Sequence, residues 1–455
     1  MIIRKWLPLL CTALGALMLM ACAPAATTAP AANTPASASA APTQGGAPQG
    51  PAGNVLFHSS QFSPVNEAEL MRNVILKDFN GKVDFQPQAA GPFVDIPVAQ
   101  QKANKMQLDV IGGQHGDFPA FIQAGILDDL SPLLAKLANR QFPAAYVNLG
   151  KMGSDKQYYI PWAQATYIMV ANKKALPYLP QGVDVNALTY DQLTQWAAAV
   201  QKATGQRMLG FPMGPTGLIH RFWQGYLYPS YTGTEVTNFK SADAVKAWTA
   251  FKALWLTVNP SSVNYNNMSD PLKSGEVWIA WDHVARLSDA LNTSPNDYVA
   301  FPAPAGPKGR TYMPVVLGLG IPKGGPNRAG AEQLIDYLTQ PKMQAAVAQN
   351  LAFFPVVPGA GQQNLPPGIQ MEADAVAKMN ASKDAFPALL PAGLGTRGGD
   401  WNKAYNDTFT RIIMKNEDIA TVLADQAKVI QAILTETKAP CWAPDPVSTG
   451  PCQVQ

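Results

Sequence analysis

The stretch Asp109-Val-Ile-Gly-Gly-Gln-His-Gly-Asp-Phe-Pro-Ala-Phe-Ile-Gln-Ala-Gly-Ile-Leu-Asp-Asp-Leu130 joins the end of an apolar run to a polar loop. The run, Gln107–Ile111, predicts a β-strand, and the turn Gly112-Gly113 ends it. Polar side chains follow at once, beginning with Gln114 and His115. Ligand sites of α/β proteins are built beyond the carboxyl ends of strands. The sequence therefore predicts that this loop contributes to a binding site.

Strand-like and helix-like segments alternate on both sides of this stretch. The other candidate strands are Val55–Phe57, Tyr167–Ala171, Val277–Trp281, Tyr298–Phe301 and Val315–Ile321. Between them lie amphipathic helices, the clearest of which starts at the capping box Thr189-Tyr-Asp-Gln192 and stops at Gly205. Strands separated by helices predict an α/β fold.

The composition limits the classes of function. The chain has 455 residues, 47% of them hydrophobic, which allows two or three domains with substantial cores. Its net charge of +3 gives no electrostatic basis for nucleic-acid binding, so we expect no nucleic-acid partner. Four cysteines are too few for a disulfide-rich scaffold.

The N-terminus predicts export. Arg4 and Lys5 precede the uncharged apolar run Trp6–Ala21, which is short for a membrane span. The run ends in Leu19-Met-Ala-Cys22, which resembles the lipobox of bacterial lipoproteins. That resemblance implies a signal peptide over 1–21 and a lipid anchor on Cys22, at the outer face of the cytoplasmic membrane. An ordinary secretory signal, cut after Ala21 or Ala23, is the alternative.

Residues 22–53 predict a disordered tether, because they are rich in Ala, Pro and Thr and carry no charge. Loss of residues 1–21 lowers the net charge from +3 to +1 and removes Cys11. If Cys22 carries lipid, Cys441 and Cys452 are left to pair, as an exported compartment allows. We therefore predict a disulfide in a C-terminal tail, 441–455.

Catalytic motifs are not found in the sequence. It has no metalloprotease, nucleophile-elbow, Walker or EF-hand pattern. The four histidines (His58, His115, His220 and His283) show no metal-ligand spacing. We predict no catalytic residue, no cofactor and no metal, and a protein that is not an enzyme.

Several segments, taken in order, resemble the family 1 extracellular solute-binding proteins, the receptors of ABC importers to which maltose-binding proteins belong. The stretch 109–130 is similar to a strand, loop and helix of that family. Tyr159–Lys173 resembles its first crossover strand, Ser274–Asp282 its second crossover, and Tyr298–Phe354 its return strand and next helix. The resemblance covers roughly residues 55–435.

This resemblance implies a periplasmic-binding-protein-like fold, with two α/β lobes joined by a three-crossing hinge and a ligand cleft between them. We assign 54–162 and 283–324 to lobe one, and 163–282 and 325–440 to lobe two. The implied function is binding a carbohydrate in the cleft and delivering it, by hinge closure, to the membrane subunits of an ABC permease. A monomer is expected. The alternatives are the same receptor role for an amino acid or polyamine, and an exported enzyme or adhesion module that reuses the fold.

Aromatic residues are the first site candidates, because sugars present apolar faces for stacking. Trp162 and Trp281 lie at the two predicted crossovers. Trp401 starts a helix where the family often carries a stacking tryptophan. Trp223 follows a predicted loop of lobe two. Core packing is the alternative role for each of them.

Polar residues near these segments would bind the sugar hydroxyls. Gln61 follows the first strand, and His115 and Asp117 follow the strand that ends at Ile111. Gln164 and Asp282 flank the two crossovers. Asp117 and Asp282 are the stronger candidates, because charged acceptors bind hydroxyls strongly. Surface solvation or loop capping is the alternative for each.

Overall fold

The computed structural model describes residues 52–360 and 364–455. The strands within these residues are β1 (Asn54–Ser59), β2 (Lys82–Pro87), β3 (Val110–Gln114), β4 (Ile160–Ala165), β5 (Tyr167–Asn172), β6 (Leu209–Gly210), β7 (Ile279–His283), β8 (Tyr298–Phe301), β9 (Arg310–Tyr312), β10 (Val315–Gly320) and β11 (Ala385–Pro387). The predicted signal peptide, Cys22 and nearly all of the predicted tether lie outside the described residues.

Helices connect these strands and cover the sheets. The α-helices are α1 (Val65–Leu70), α2 (Ala90–Lys102), α3 (Phe118–Gln123), α4 (Ser131–Lys136), α5 (Ala144–Lys151), α6 (Tyr190–Thr204), α7 (Ile219–Phe222), α8 (Tyr228–Thr232), α9 (Ala242–Trp255), α10 (Ser269–Ser274), α11 (Val284–Thr293), α12 (Arg328–Leu338), α13 (Pro341–Leu351), α14 (Pro367–Ala381), α15 (Gly398–Phe409) and α16 (Ile419–Thr437). Among the described residues, no helix combines the length and apolar character that a membrane span requires.

The first sheet has five strands in the order β2-β1-β3-β10-β4. Strand β1 runs parallel to β2 and β3, whereas β10 is antiparallel to β3 and β4. The second sheet has four strands in the order β6-β7-β5-β8, and β5 is antiparallel to both of its neighbours. We call the first sheet with its helices lobe one and the second lobe two. The α/β prediction and the two-lobed prediction are therefore confirmed.

The strand pairing corrects the predicted lobe boundaries. The chain first crosses at Thr166, between β4 and β5, so 163–165 belong to lobe one rather than lobe two. Residues 298–301 were assigned to lobe one, but they form β8 and pair with β5, and Met169 lies opposite Phe301. Residues 328–351 were assigned to lobe two, but α12 contacts β1 and α13 contacts β4. The hydrogen-bonded partner of an edge strand cannot be identified from its own residues, which explains these errors.

Local signals were more informative. The hydroxyl of Thr189 accepts a hydrogen bond from the backbone N–H of Gln192 (3.2 Å), and the Gln192 side chain accepts one from the Thr189 N–H (2.9 Å). Helix α6 then ends at Gly205, whose φ of 73° suits a residue without a side chain. The predicted capping box and stop signal are thus confirmed.

The C-terminal tail is fastened to lobe two. Cys441 and Cys452, the predicted pair, form a disulfide. The Asp445 carboxylate accepts the backbone N–H groups of Glu235, Val236 and Thr237 at 2.7–3.0 Å. At the other end, Ala52 is already buried and bonded to Asn80, so the folded body starts slightly before the predicted Asn54.

Candidate functional site

A cavity of about 240 Å³ lies where loops of both lobes meet. Lobe one contributes the ends of β1 and β3, lobe two contributes α7, and the start of α15 and the segment before it close the space. The lining residues are Ser60, Gln61, Val94, Gln114, Gly116, Asp117, Arg221, Pro391, Leu394, Gly395, Gly398, Gly399, Trp401 and Asn402. Asp117 and Arg221 are the charged members of this set.

The lobe-one wall presents hydrogen-bond acceptors around Asp117. Its Oδ2 atom accepts the backbone N–H of Gln114 (2.8 Å) and the hydroxyl of Ser60 (2.9 Å). The Gln61 side chain donates in turn to the Ser60 hydroxyl (3.1 Å). Burial raises the pKa of the Asp117 carboxyl, against the opposing effects of these hydrogen bonds and of the Arg221 charge.

The opposite wall presents donors. The Arg221 guanidinium donates to Oε1 of Gln224 (3.0 Å), and Nε2 of Gln224 donates to Oδ1 of Asn402 (3.0 Å). Gln224 is fully buried, so this chain of hydrogen bonds fixes both cavity-lining side chains. Helix α15 begins beside them, and its N-cap residue Arg397 provides no side-chain cap.

Trp401 combines a place in the cavity wall with complete burial. Its ring packs against Trp442 of the tail (centroids 5.3 Å apart) and against Tyr405 (5.9 Å). Its indole N–H has no hydrogen-bond acceptor. The tail thus supports Trp401 from behind, at the edge of the cavity.

The loop that follows β3 makes a close contact beside the cavity. A Cβ atom on Gly116 would lie 2.1 Å from the carbonyl oxygen of Pro391, so only glycine fits there. His115 turns away from the cavity: its Nδ1 lies 2.8 Å from the Tyr159 hydroxyl, and burial lowers the pKa of its imidazole to about 4. It lines a separate groove of about 460 Å³ together with the tail.

The cavity therefore brings together three of the nine predicted ligand-binding residues, Gln61, Asp117 and Trp401. The other six lie elsewhere. Trp162 is 2% exposed and packs edge-to-face on Phe62. The Gln164 side chain is engaged in hydrogen bonds outside the cavity. It accepts the Tyr146 hydroxyl (2.5 Å) and donates to the Pro355 carbonyl (3.1 Å).

Trp281, Asp282 and Trp223 are buried within lobe two. The Trp281 ring stacks on Tyr167 with the two planes 5° apart, and the Trp223 ring stacks on Phe409. The Asp282 carboxylate accepts the backbone N–H groups of Met268 (2.9 Å) and His283 (2.7 Å). Burial raises its pKa to about 7. For these residues the structure favours the packing role that the sequence analysis gave as the alternative.

Arg221 and Asn402 are two polar cavity residues that the sequence analysis missed. Arg221 lies in α7, two residues before Trp223, and Asn402 follows Trp401. The sequence signal that could have identified them is a polar residue within two positions of a tryptophan candidate. Among residues 52–360 and 364–455, no three His, Cys, Asp or Glu side chains are grouped to hold a metal ion.

Comparisons with known proteins agree with this architecture. The model of a family described as bacterial extracellular solute-binding protein matches residues 65–345. No curated protein sequence gives a significant match. Among solved structures, maltose-bound MalE3 of T. maritima is 18% identical, with a TM-score of 0.66, over 84% of this chain and 100% of its own.

Two further structures match at similar levels. A sugar transporter from Arthrobacter chlorophenolicus with bound laminaribiose is 15% identical, with a TM-score of 0.67, over 84% of this chain and 99% of its own. UgpB from Mycobacterium tuberculosis in complex with glycerophosphocholine is 17% identical, with a TM-score of 0.63, over 85% and 99%. At these identities the matches establish the fold.

Proposed function

This chain belongs to the bacterial extracellular solute-binding protein family, and from that premise we propose that it is a carbohydrate receptor of an ABC importer. The observation that carries the proposal is the cavity lined by Asp117 of lobe one, Arg221 of lobe two and Trp401 at the start of α15. A solute held there touches both lobes, so it stabilises the closed form over the open one. Delivery to the membrane subunits of a permease needs no covalent chemistry.

The residue types support a sugar. Asp117, Gln61 and Ser60 provide acceptors for hydroxyl groups, and Asn402 provides an amide. Trp401 adds an apolar ring at the edge of the same space. Structural relatives with bound maltose and laminaribiose support the same ligand class.

A zwitterionic amino acid is the second candidate, favoured by the one carboxylate and one guanidinium that face the same cavity. A polyamine is less well matched, because its site requires several carboxylates. An enzymatic role is less well supported: Ser60 donates to Asp117, but the lining set holds no histidine, lysine or cysteine.

We further propose that the receptor is exported and held at the outer face of the cytoplasmic membrane by lipid on Cys22, as the lipobox-like Leu19–Cys22 indicates. The test is membrane fractionation of the native chain and of Cys22→Ser. The native chain should sediment with membranes, and the variant should not. Equal distribution of the two would contradict the anchor.

The test of the binding function is a thermal-shift screen against sugars, amino acids and polyamines, followed by calorimetric titration of each hit. A specific ligand raises the melting temperature by mass action. Chromatography of the ligand after incubation should recover it unchanged. A response to amino acids alone would replace the sugar, and a converted ligand would replace the receptor role.

A further inference from the structure

We infer that the ligand is an acidic carbohydrate, and that Arg221 selects it by binding its carboxylate or phosphate group. This inference rests on the proposed function and names the substrate class of that same cavity. The carrying observation is an arginine side chain that lines the cavity and forms no ion pair with any residue that the structure describes. Its guanidinium donates instead to the neutral Gln224.

A guanidinium in a partly enclosed site is costly to leave without an anion. It presents five N–H donors in a fork that matches carboxylate and phosphate oxygens. The buried Gln224 accepts from its Nη1 and, by donating to Asn402, fixes both residues in the wall. The remaining donors of Arg221 are thus oriented in advance, which favours binding of a planar or tetrahedral anion.

One neighbour on the same wall also favours a hydrogen-bond acceptor on the ligand. The indole N–H of the fully buried Trp401, also in the lining, has no acceptor. The start of helix α15 does not add to this, because the Gly398 N–H already bonds to the Gly395 carbonyl and the first turn carries Asp400.

The facing wall carries one carboxyl group, which forms no ion pair with Arg221. Asp117 is the carboxyl group of the lining set, and it is already bonded by Ser60 and Gln114. Both of these bonds go to Oδ2, which leaves Oδ1 as an acceptor for hydroxyl groups. The two sides of the cavity therefore differ in chemistry. Lobe one offers acceptors for hydroxyl groups, and the side with Arg221 offers N–H donors for an anion.

The experiment compares matched pairs of probes on the full chain: galacturonate with galactose, glucuronate with glucose, and glucose 6-phosphate with glucose, each also as short oligosaccharides where they exist. Calorimetry is run on the native protein, Arg221→Gln, Arg221→Lys and the control Arg207→Gln. Arg207 precedes β6 in lobe two and does not line the cavity. The uronate arm and the phosphate arm identify which anion is recognised.

We expect an acidic probe to bind more tightly than its neutral partner. Arg221→Gln should weaken the acidic probe ~10- to 100-fold, as expected for loss of a charged hydrogen bond, and change the neutral probe little. Arg221→Lys should retain part of the affinity, and Arg207→Gln all of it. The melting temperatures of the unliganded variants show whether each is folded.

Different failures have different meanings. If neutral sugars bind as tightly as acidic ones, or if Arg221→Gln weakens both equally, the acidic ligand is wrong and the carbohydrate receptor stands. If amino acids bind and no sugar does, both proposals fail. If no acidic sugar binds while a neutral one does, Arg221 does not select an anion.

Discussion

Two predicted site residues that follow strands differ in position from three that lie within strands. Gln61 and Asp117 lie just beyond β1 and β3 and line the cavity. Trp162 lies within β4, and Trp281 and Asp282 lie within β7, and all three are buried in the lobes. A strand covered on both faces buries its side chains whichever way they point. Proximity to a crossover is therefore a weaker sign of a binding role than position after a strand end.

The largest expected effect is a difference in stability between variants within strands and variants beyond strand ends. Trp281→Ala should lower the free energy of unfolding by ~3–5 kcal/mol, because it removes a fully buried ring that stacks on Tyr167. Denaturant titration measures the loss. Gln61→Ala is the matched change at a strand end and should alter stability by less than ~1 kcal/mol. Equal losses in the two variants would contradict the distinction between residues within strands and residues beyond strand ends.

The next effect concerns the pH dependence of the buried carboxyl. Because burial raises the pKa of Asp282 to about 7, well above its unfolded value, its contribution to stability is present at low pH and is lost as the pH rises towards 7. The native protein should therefore lose stability relative to Asp282→Asn between pH 4 and 7, by an amount on the order of a few kcal/mol. Unfolding of both proteins across this range measures the difference. A constant difference would mean that Asp282 ionises normally.

The sequence predicted more of the fold than of the site. Periodicity and caps located α6 and β10, because those signals arise within a few residues. Strand pairing and helix packing depend on distant segments, which is why β8 and α12 were assigned to the wrong lobes. Among the site residues, strand-end position identified Asp117. Arg221 reaches the cavity only through the packing of α7 against α15, which no local pattern encodes.

A third effect concerns the contribution of Asp117, which lies beyond a strand end, to ligand affinity. Asp117→Asn should weaken binding of the ligand found by screening by ~1.5–3 kcal/mol, because the carboxyl is the acceptor of the lobe-one wall. Asp282→Asn is the matched control, since Asp282 bonds only backbone groups inside lobe two. Calorimetric titration of both variants measures the affinities. Loss in the control, but not in Asp117→Asn, would reverse the comparison.

The smallest effect concerns two tryptophans, each of which has an indole N–H without a hydrogen-bond acceptor. Both Trp401 and Trp281 are fully buried, yet only Trp401 lines the cavity. Replacement by phenylalanine keeps most of the ring and removes the N–H donor. Trp401→Phe should therefore weaken ligand binding by ~0.5–1.5 kcal/mol, whereas Trp281→Phe should leave affinity unchanged. Titration of the two variants with one ligand gives the comparison, and unfolding measurements verify that both remain folded. If both bind like the native protein, the Trp401 indole N–H does not reach the ligand, and its contribution is limited to the packing against Trp442 and Tyr405.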